Sequence, residues 1–335
     1  MRKHCLTINL AVIMALLILA AAPTMVAAKD KPKEITVAYF LEWPTANQVA
    51  QIEKWYDEKM GLKVNWRAFG NGNEMSAAMA SGDVQIAYSQ GLVPYVVAVS
   101  KGLPLQLVGV AVSYAENDNC VVHDDCGVTK ANAADLEGKK VATPIGNVTH
   151  YKLLRTLDHL GVDASKVKIL PMNGAEGAAA LSRGDVCMAC AFGGPLTRMK
   201  QYGSVLMTAK EQEAIGIRVF DVISVTKKFA DEYPELVTTF LQVTEDANRA
   251  YAKDPTHARP IIAKASGMTL ADSNAMLALF DFPSREEQLS EEWLGGTVQS
   301  FVKGVADFFV EQKQLPKALD DYSPYINADF MKKVQ

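Results

Sequence analysis

Two carboxylates stand where a chain rarely places a charge. Glu42 follows the apolar run ITVAYF, and Asp221 lies between IRVF and VISV. An acid at the end of a buried strand needs a partner, either a protein donor or a bound cation. Both are therefore candidates for the cationic end of a small molecule. Trp43, next to Glu42, adds an aromatic wall, and a cation over such a face gains about 0.5–2 kcal/mol. Anion-holding chemistry is present in two other stretches. AYSQGLVP sets Gln90 and Gly91 directly before a predicted helix, and GNVTHY opens another with Asn147, Thr149 and His150. Free amides at helix starts attract anions without any arginine. The combination suits a solute with opposite poles.

Bond-making chemistry has far less support. The five histidines, His4, His123, His150, His159 and His257, share no metal-ligand spacing. No GxSxG, HExxH or phosphate-loop motif occurs, and GNGNEM lacks the GxGxxG spacing. No catalytic residue, metal site or cofactor is expected. Four cysteines lie beyond the N-terminal region: Cys120, Cys126, Cys187 and Cys190. Four cysteines allow three pairings, and the local ones, Cys120–Cys126 and Cys187–Cys190, are the simplest. Zinc or a redox CxxC would need a glycine-bearing knuckle or a following helix around CMAC, which instead reads as a buried strand.

The elements that position these residues form a repeat. FGNGNEMSAAMASGDVQIAYSQG (Phe69–Gly91) matches PMNGAEGAAALSRGDVCMACAFGG (Pro171–Gly194): an Asn-Gly turn, a small-residue helix, Gly-Asp, an apolar strand and a glycine tip. Upstream, ITVAYFLEWPTANQVAQIEKWYDEKMG and KKVATPIGNVTHYKLLRTLDHLG each give strand, polar tip and helix. The alternation predicts two units, each a mainly parallel sheet flanked by helices. A strand at Asp221–Thr226 would return the chain to the first sheet, with the remaining helices packed on that lobe. Two crossovers are expected, near Asn119–His123 and Val219–Ile223. The implied division is 29–120 with 224–335 as lobe 1 and 121–223 as lobe 2. In open α/β sheets ligands bind beyond the carboxyl ends of the strands, which places the tips at a cleft between the lobes.

The N-terminus reads as an export signal: Arg2 and Lys3, the apolar run LTINLAVIMALLILAAA, then Val26-Ala27-Ala28 before Lys29. Cleavage after residue 28 removes two bases and no acids, leaving a chain more negative than the whole-chain net charge of −4. An acidic chain without a basic stripe does not fit nucleic-acid binding. A periplasmic, monomeric protein is expected.

VNWRAFGNG, AMASGDVQIA, THYKLL and DDYSPYI carry a resemblance, and the order of elements agrees from about residue 34 onward. The chain resembles the periplasmic substrate-binding components of taurine ABC importers, within the broader nitrate/sulfonate/thiamine-precursor-binding group. The resemblance implies a two-lobed periplasmic binding protein of type II without catalysis, which passes a small zwitterion of the taurine kind to an inner-membrane permease. Carried over, Gln90, Gly91, Asn147, Thr149 and His150 match the anion-side tips, Asp221 the amine-side acid, and Glu42 the first tip. One departure stands out: AFGGP (Ala191–Pro195) occupies a place where such proteins carry an indole. Trp43 could fill that volume from the opposite side, or the pocket could be larger. The alternatives are a binder of another small amine or sulfonate, and a thiamine-pyrimidine synthase-like protein.

Overall fold

The computed structural model describes residues 30–114 and 116–335. The predicted export signal lies outside the described residues. Among the described residues, eleven strands form two sheets. The first contains β1 (Glu34–Phe40), β2 (Lys63–Phe69), β3 (Ile86–Gly91), β4 (Leu105–Tyr114), β10 (Phe220–Thr226) and β11 (Phe280–Asp281), in the order β11-β4-β10-β3-β1-β2. The second contains β5 (Asp118–His123), β6 (Lys140–Thr143), β7 (Lys168–Pro171), β8 (Met188–Phe192) and β9 (Gly203–Val205), in the order β7-β6-β8-β5-β9.

The two sheets share a plan. In the first, β2, β1 and β3 run parallel and β10 lies antiparallel beside β3. In the second, β7, β6 and β8 run parallel and β5 lies antiparallel beside β8. The repeat read from the sequence is thus a repeat of topology, and each antiparallel strand arrives by a crossover from the other sheet. Sheet pairing moves the crossovers a few residues toward the N-terminus. Asp118–Cys120 already pair within the second sheet, and Phe220–Ile223 already pair within the first.

Asparagines start the matching helices. Asn71 caps α1 (Gly72–Ser81) through the amides of Asn73 and Glu74, and Asn173 caps α4 (Gly174–Ser182) through Glu176. The glycine tips lead into α2 (Leu92–Ser100) and α5 (Gly193–Met199), while α3 (Val148–His159) follows β6. The helix expected after Trp43 is broken into Gln48–Ile52 and Trp55–Met60, with Lys54 in the left-handed region at φ 65°. After β10, α6 (Pro234–Lys253) and α7 (Thr297–Glu311) add Phe240, Leu241, Val302 and Phe309 to the core that holds Val37, Ile86 and Val222. The trailing helices therefore pack on the first lobe.

The cysteines pair differently from the simplest expectation. Cys120 is bonded to Cys190 and Cys126 to Cys187. Cys120 and Cys190 are directly opposed in the antiparallel β5–β8 register. Residues three apart along an extended strand are about 10 Å apart and face opposite sides, so CMAC does not close on itself: Cys190 meets Cys120 across the ladder, and Cys187, just before β8, meets Cys126 in the turn after β5.

Candidate functional site

The first lobe contributes a buried acid with its donors already in place. Asp221, the second residue of β10, is 2% exposed and pairs with Gly91 on one side and Val112 on the other. Ser89 Oγ donates to its Oδ2 at 2.7 Å, and Tyr114 Oη donates to its Oδ1 at 2.7 Å. Trp43 Nε1 in turn donates to Ser89 Oγ at 3.0 Å. Tyr114, Phe192 and Phe280 pack around the indole with ring centroids 4.9, 5.5 and 4.6 Å away. Ser89 holds φ at 63°, a conformation uncommon outside glycine, as it turns into this network. Burial pushes the Asp221 carboxyl up to about 7; the Ser89 and Tyr114 hydroxyls oppose that rise and Asp118 adds to it.

The second lobe presents its own acid. Asp118 opens β5 and is 1% exposed. Thr149 Oγ1 donates to its Oδ2 at 2.8 Å, and Lys152 Nζ, one turn along α3, donates to its main-chain carbonyl. Its Oδ1 is buried and makes no hydrogen bond. Burial raises the Asp118 carboxyl to about 6, against the pull of Lys152 and Thr149. Burial also lowers the Lys152 ammonium, with Asp118, Glu116 and Glu213 opposing.

The lobes meet at these groups. A Cβ built on Gly91 would lie 2.8 Å from Val148 Cγ2 of the second lobe and 3.6 Å from Asp221 Oδ1. Asp221 Oδ1 and Val148, which lies between Asn147 and Thr149, thus both approach Gly91. Asn147 Oδ1 accepts from the Val148 amide and caps α3. His150 Nδ1 accepts from the Gly146 amide at 3.1 Å, and its ring stands edge-on to Phe309 of the first lobe at 6.0 Å. Burial lowers its pKa to about 4, so the ring docks neutral.

Two expected contacts turn elsewhere. Gln90 faces its own lobe: Nε2 donates to Ser76 Oγ at 2.7 Å and to the Gly72 carbonyl at 3.3 Å, and Oε1 accepts from Ser224 Oγ at 2.5 Å. Glu42 reaches across the lobes to Arg198, which donates to both carboxylate oxygens at 2.8 and 3.1 Å. The glycines at the missing-indole position make room for this crossing. A Cβ at Gly193 would lie 2.5 Å from the Glu42 carbonyl oxygen and 3.3 Å from Trp43 Cε3. Glu42 and Trp43 together cover the space those glycines leave.

The family model described as NMT1/THI5 like matches residues 45–258. The chain belongs to the NMT1/THI5-like family. Its sequence is 30% identical over 319 residues to the taurine-binding periplasmic protein of Escherichia coli K12, covering 93% of this chain and 97% of that one. Among solved structures, the alkanesulfonate-binding protein SsuA of Xanthomonas axonopodis pv. citri, bound to MOPS, superposes with TM-score 0.73 at 21% identity, over 89% of this chain and 99% of that one. The periplasmic aliphatic sulphonate binding protein SsuA of Escherichia coli gives TM-score 0.71 at 19% identity, over 90% and 100%. These likenesses establish the two-lobed periplasmic binding protein fold. This NMT1/THI5-like chain is a binding protein rather than an enzyme.

Sequence reasoning did not single out Tyr114, Asp118 and Lys152, and it placed Ser89 at a strand tip without its bond to Asp221. For Asp118 a signal was present. NDNCVV and FDVISV both place an acid at the head of an apolar strand entered from a crossover. The structure makes the two equivalent: Asp118 pairs with Phe192 and Asp221 with Gly91, each the last residue of the third strand of its unit.

Proposed function

We propose that this chain is the periplasmic solute-binding component of an ABC importer, taking a small aminosulfonate of the taurine type between its lobes and delivering it to a membrane permease. The observation that carries the reading is Asp221: a buried carboxylate, pre-oriented by Ser89 and Tyr114, at the point where the second lobe closes on Gly91. A fixed acid in a dry site binds a cation far better than one in water. The opposite pole would meet the starts of α2 and α3; α2 begins at Gly91 without a side-chain cap, leaving its first amides for an anion. The 30% identity to a protein named as taurine-binding supports the same choice. On this reading the chain acts as an exported monomer.

One observation favours a second reading. The buried charges named at the closure are Asp118, Asp221 and Lys152, an excess of one acid, which would suit a simple amine. Titration calorimetry separates the two. Taurine should bind, while isethionate (no amine) and ethylamine (no sulfonate) should each bind at least about tenfold more weakly, one lost charged contact being worth roughly 1.5–3 kcal/mol. Ethylamine binding as tightly as taurine would select the amine reading, and isethionate doing so would remove the acid from the site.

A further inference from the structure

We infer that Asn117 and Arg218 are positioning residues, one in each crossover, which tie both joints to a single brace of the first lobe, residues 270–296. The brace thereby favours the closed arrangement of the lobes. The inference rests on the two-lobed binding fold and not on the identity of the solute. Asn117 lies between β4 and β5 and is buried. Its Nδ2 donates to the Met276 carbonyl of the first lobe at 3.0 Å, and its own carbonyl accepts from the Gly193 amide at 3.0 Å. One residue thus holds the second-lobe tip against the first lobe. Arg218 lies just before β10, in the other crossover. Its guanidinium sits 4.1 Å from the centre of the Trp293 ring, and Nη2 donates to Glu292 Oε1 at 3.0 Å.

The brace itself is fixed. Met276 and Trp293 belong to the first-lobe core, and between them β11 pairs with Ser113 and Tyr114, the last residues before the first crossover. Phe280 of β11 also packs on Trp43, so the brace reaches the network around Asp221. Between the crossovers and the brace lies a cavity of about 850 Å3, whose wall includes Tyr114, Arg218, Asp281 and Trp293, with Glu213 from the second-lobe helix Ala209–Ala214. A wall drawn from both lobes changes shape as they move, and Arg218 joins the crossover to its far side. Stacking outweighs the ion pair in this contact. The Arg218 and Glu292 side chains are 31% and 69% exposed, so water screens their charges. Trp293 is buried, and a cation over an indole face keeps its attraction there. Both ties are made with the lobes together, where the Gly194 amide donates to the Glu42 carbonyl across the cleft. They therefore stabilise the closed form, and losing either should favour an open one.

Small-angle X-ray scattering and stopped-flow taurine release on Arg218→Ala, Arg218→Lys and Asn117→Ala test this. Without ligand, each alanine variant should have a larger radius of gyration than the unmodified protein. Saturating taurine should return the radius to the unmodified value. Release should speed by roughly three- to tenfold, the reach of one such contact on a closing equilibrium. Lysine keeps the charge and loses the planar stack, so Arg218→Lys should follow the alanine variant, and added salt should not erase the difference. Unchanged radius and release alongside a lowered melting temperature would overturn the inference and leave both residues a purely structural role. An effect of Arg218→Ala without one of Asn117→Ala would overturn the shared brace. Failure of taurine to bind the unmodified protein would count against the proposed function alone, and the ligand-free radii would still decide the brace.

Discussion

Gly91 in the first lobe and Val148 in the second pack so closely that a methyl group on the glycine would lie 2.8 Å from Val148 Cγ2. The glycine has φ −55°, which any residue adopts, so an alanine there is strained by the facing lobe rather than by its own backbone. Gly91→Ala should therefore fold normally and weaken ligand binding, by roughly tenfold for a clash of 1–2 kcal/mol. Val148→Ala in the same chain should restore much of the loss. Calorimetry on the two single variants and the double variant checks the coupling. Absence of rescue would place the clash within the first lobe, where Pro94 Cδ lies 3.3 Å from the added carbon.

Asp221→Asn should separate binding from folding. Burial already disfavours the charged form of Asp221, so a neutral isostere should leave the ligand-free melting temperature unchanged or raise it. Ligand affinity should fall by about two orders of magnitude, the range for one partner lost from a buried charged contact. A parallel fall in stability and affinity would mean that the carboxylate only supports the Ser89–Tyr114 network.

Proton linkage gives a prediction on the unmodified protein. Burial raises Asp221 from 3.8 to about 7 and Asp118 from 3.8 to about 6. A cationic ligand requires the ionised acids, so affinity should climb as the pH rises from about 5 and level off above about 7, by at most tenfold per pH unit for each proton displaced. Melting temperature is a poorer readout. The raised carboxyls stabilise the fold most below their ordinary value and lose that contribution as pH rises through 6 to 7. His150, lowered from 6.5 to about 4, contributes above its ordinary value and is lost as pH falls through 4. The two trends oppose each other across the same interval. Isothermal titrations that show no pH dependence of affinity would mean the acids do not touch the cation.

The observed cysteine pairing predicts the products of non-reducing proteolysis. Mass spectrometry should find Cys120 linked to Cys190 and Cys126 to Cys187. A peptide closed within CMAC would contradict the β5–β8 register.

What the sequence made legible follows from what is local. The Asn-Gly turns, Gly-Asp connections and strand tips are short-range signals, and they gave both sheets, the repeat and the return of β10. Asp221, Trp43, Gly91 and Thr149 stood out because a charge, an indole, a glycine or a cap sat at a strand end. Pairings set by register or by closure were not readable. CMAC looked like a local bridge because strand partners are invisible in one dimension. Gln90 and Glu42 lie at the right tips, yet their directions depend on the left-handed turns at Ser89 (φ 63°) and Glu42 (φ 53°), and neither residue type announces that conformation. Asp118 was overlooked for a similar reason. Its equivalence to Asp221 becomes visible only once β5 and β10 are seen to occupy the same place in their sheets.

The Glu42–Arg198 pair tests how far closure depends on an electrostatic link. It is bidentate, but its side chains are 37% and 47% exposed, so solvent screens it. Exposed pairs contribute at most about 1 kcal/mol, which sets an upper limit of roughly fivefold on affinity. Arg198→Ala should therefore speed ligand release by a few-fold at low salt, and the difference from the unmodified protein should vanish near 1 M salt, where charges are screened beyond about 3 Å. Gly194→Ala acts on the same crossing by another force: the added carbon would lie 2.7 Å from Glu42 Cδ, a steric conflict that salt does not relieve. Its faster release should persist at every ionic strength. Stopped-flow release rates for both variants across a salt series decide between charge and packing. A salt-independent effect of Arg198→Ala would show that the guanidinium closes the cleft by filling space over Glu42 rather than by pairing with it.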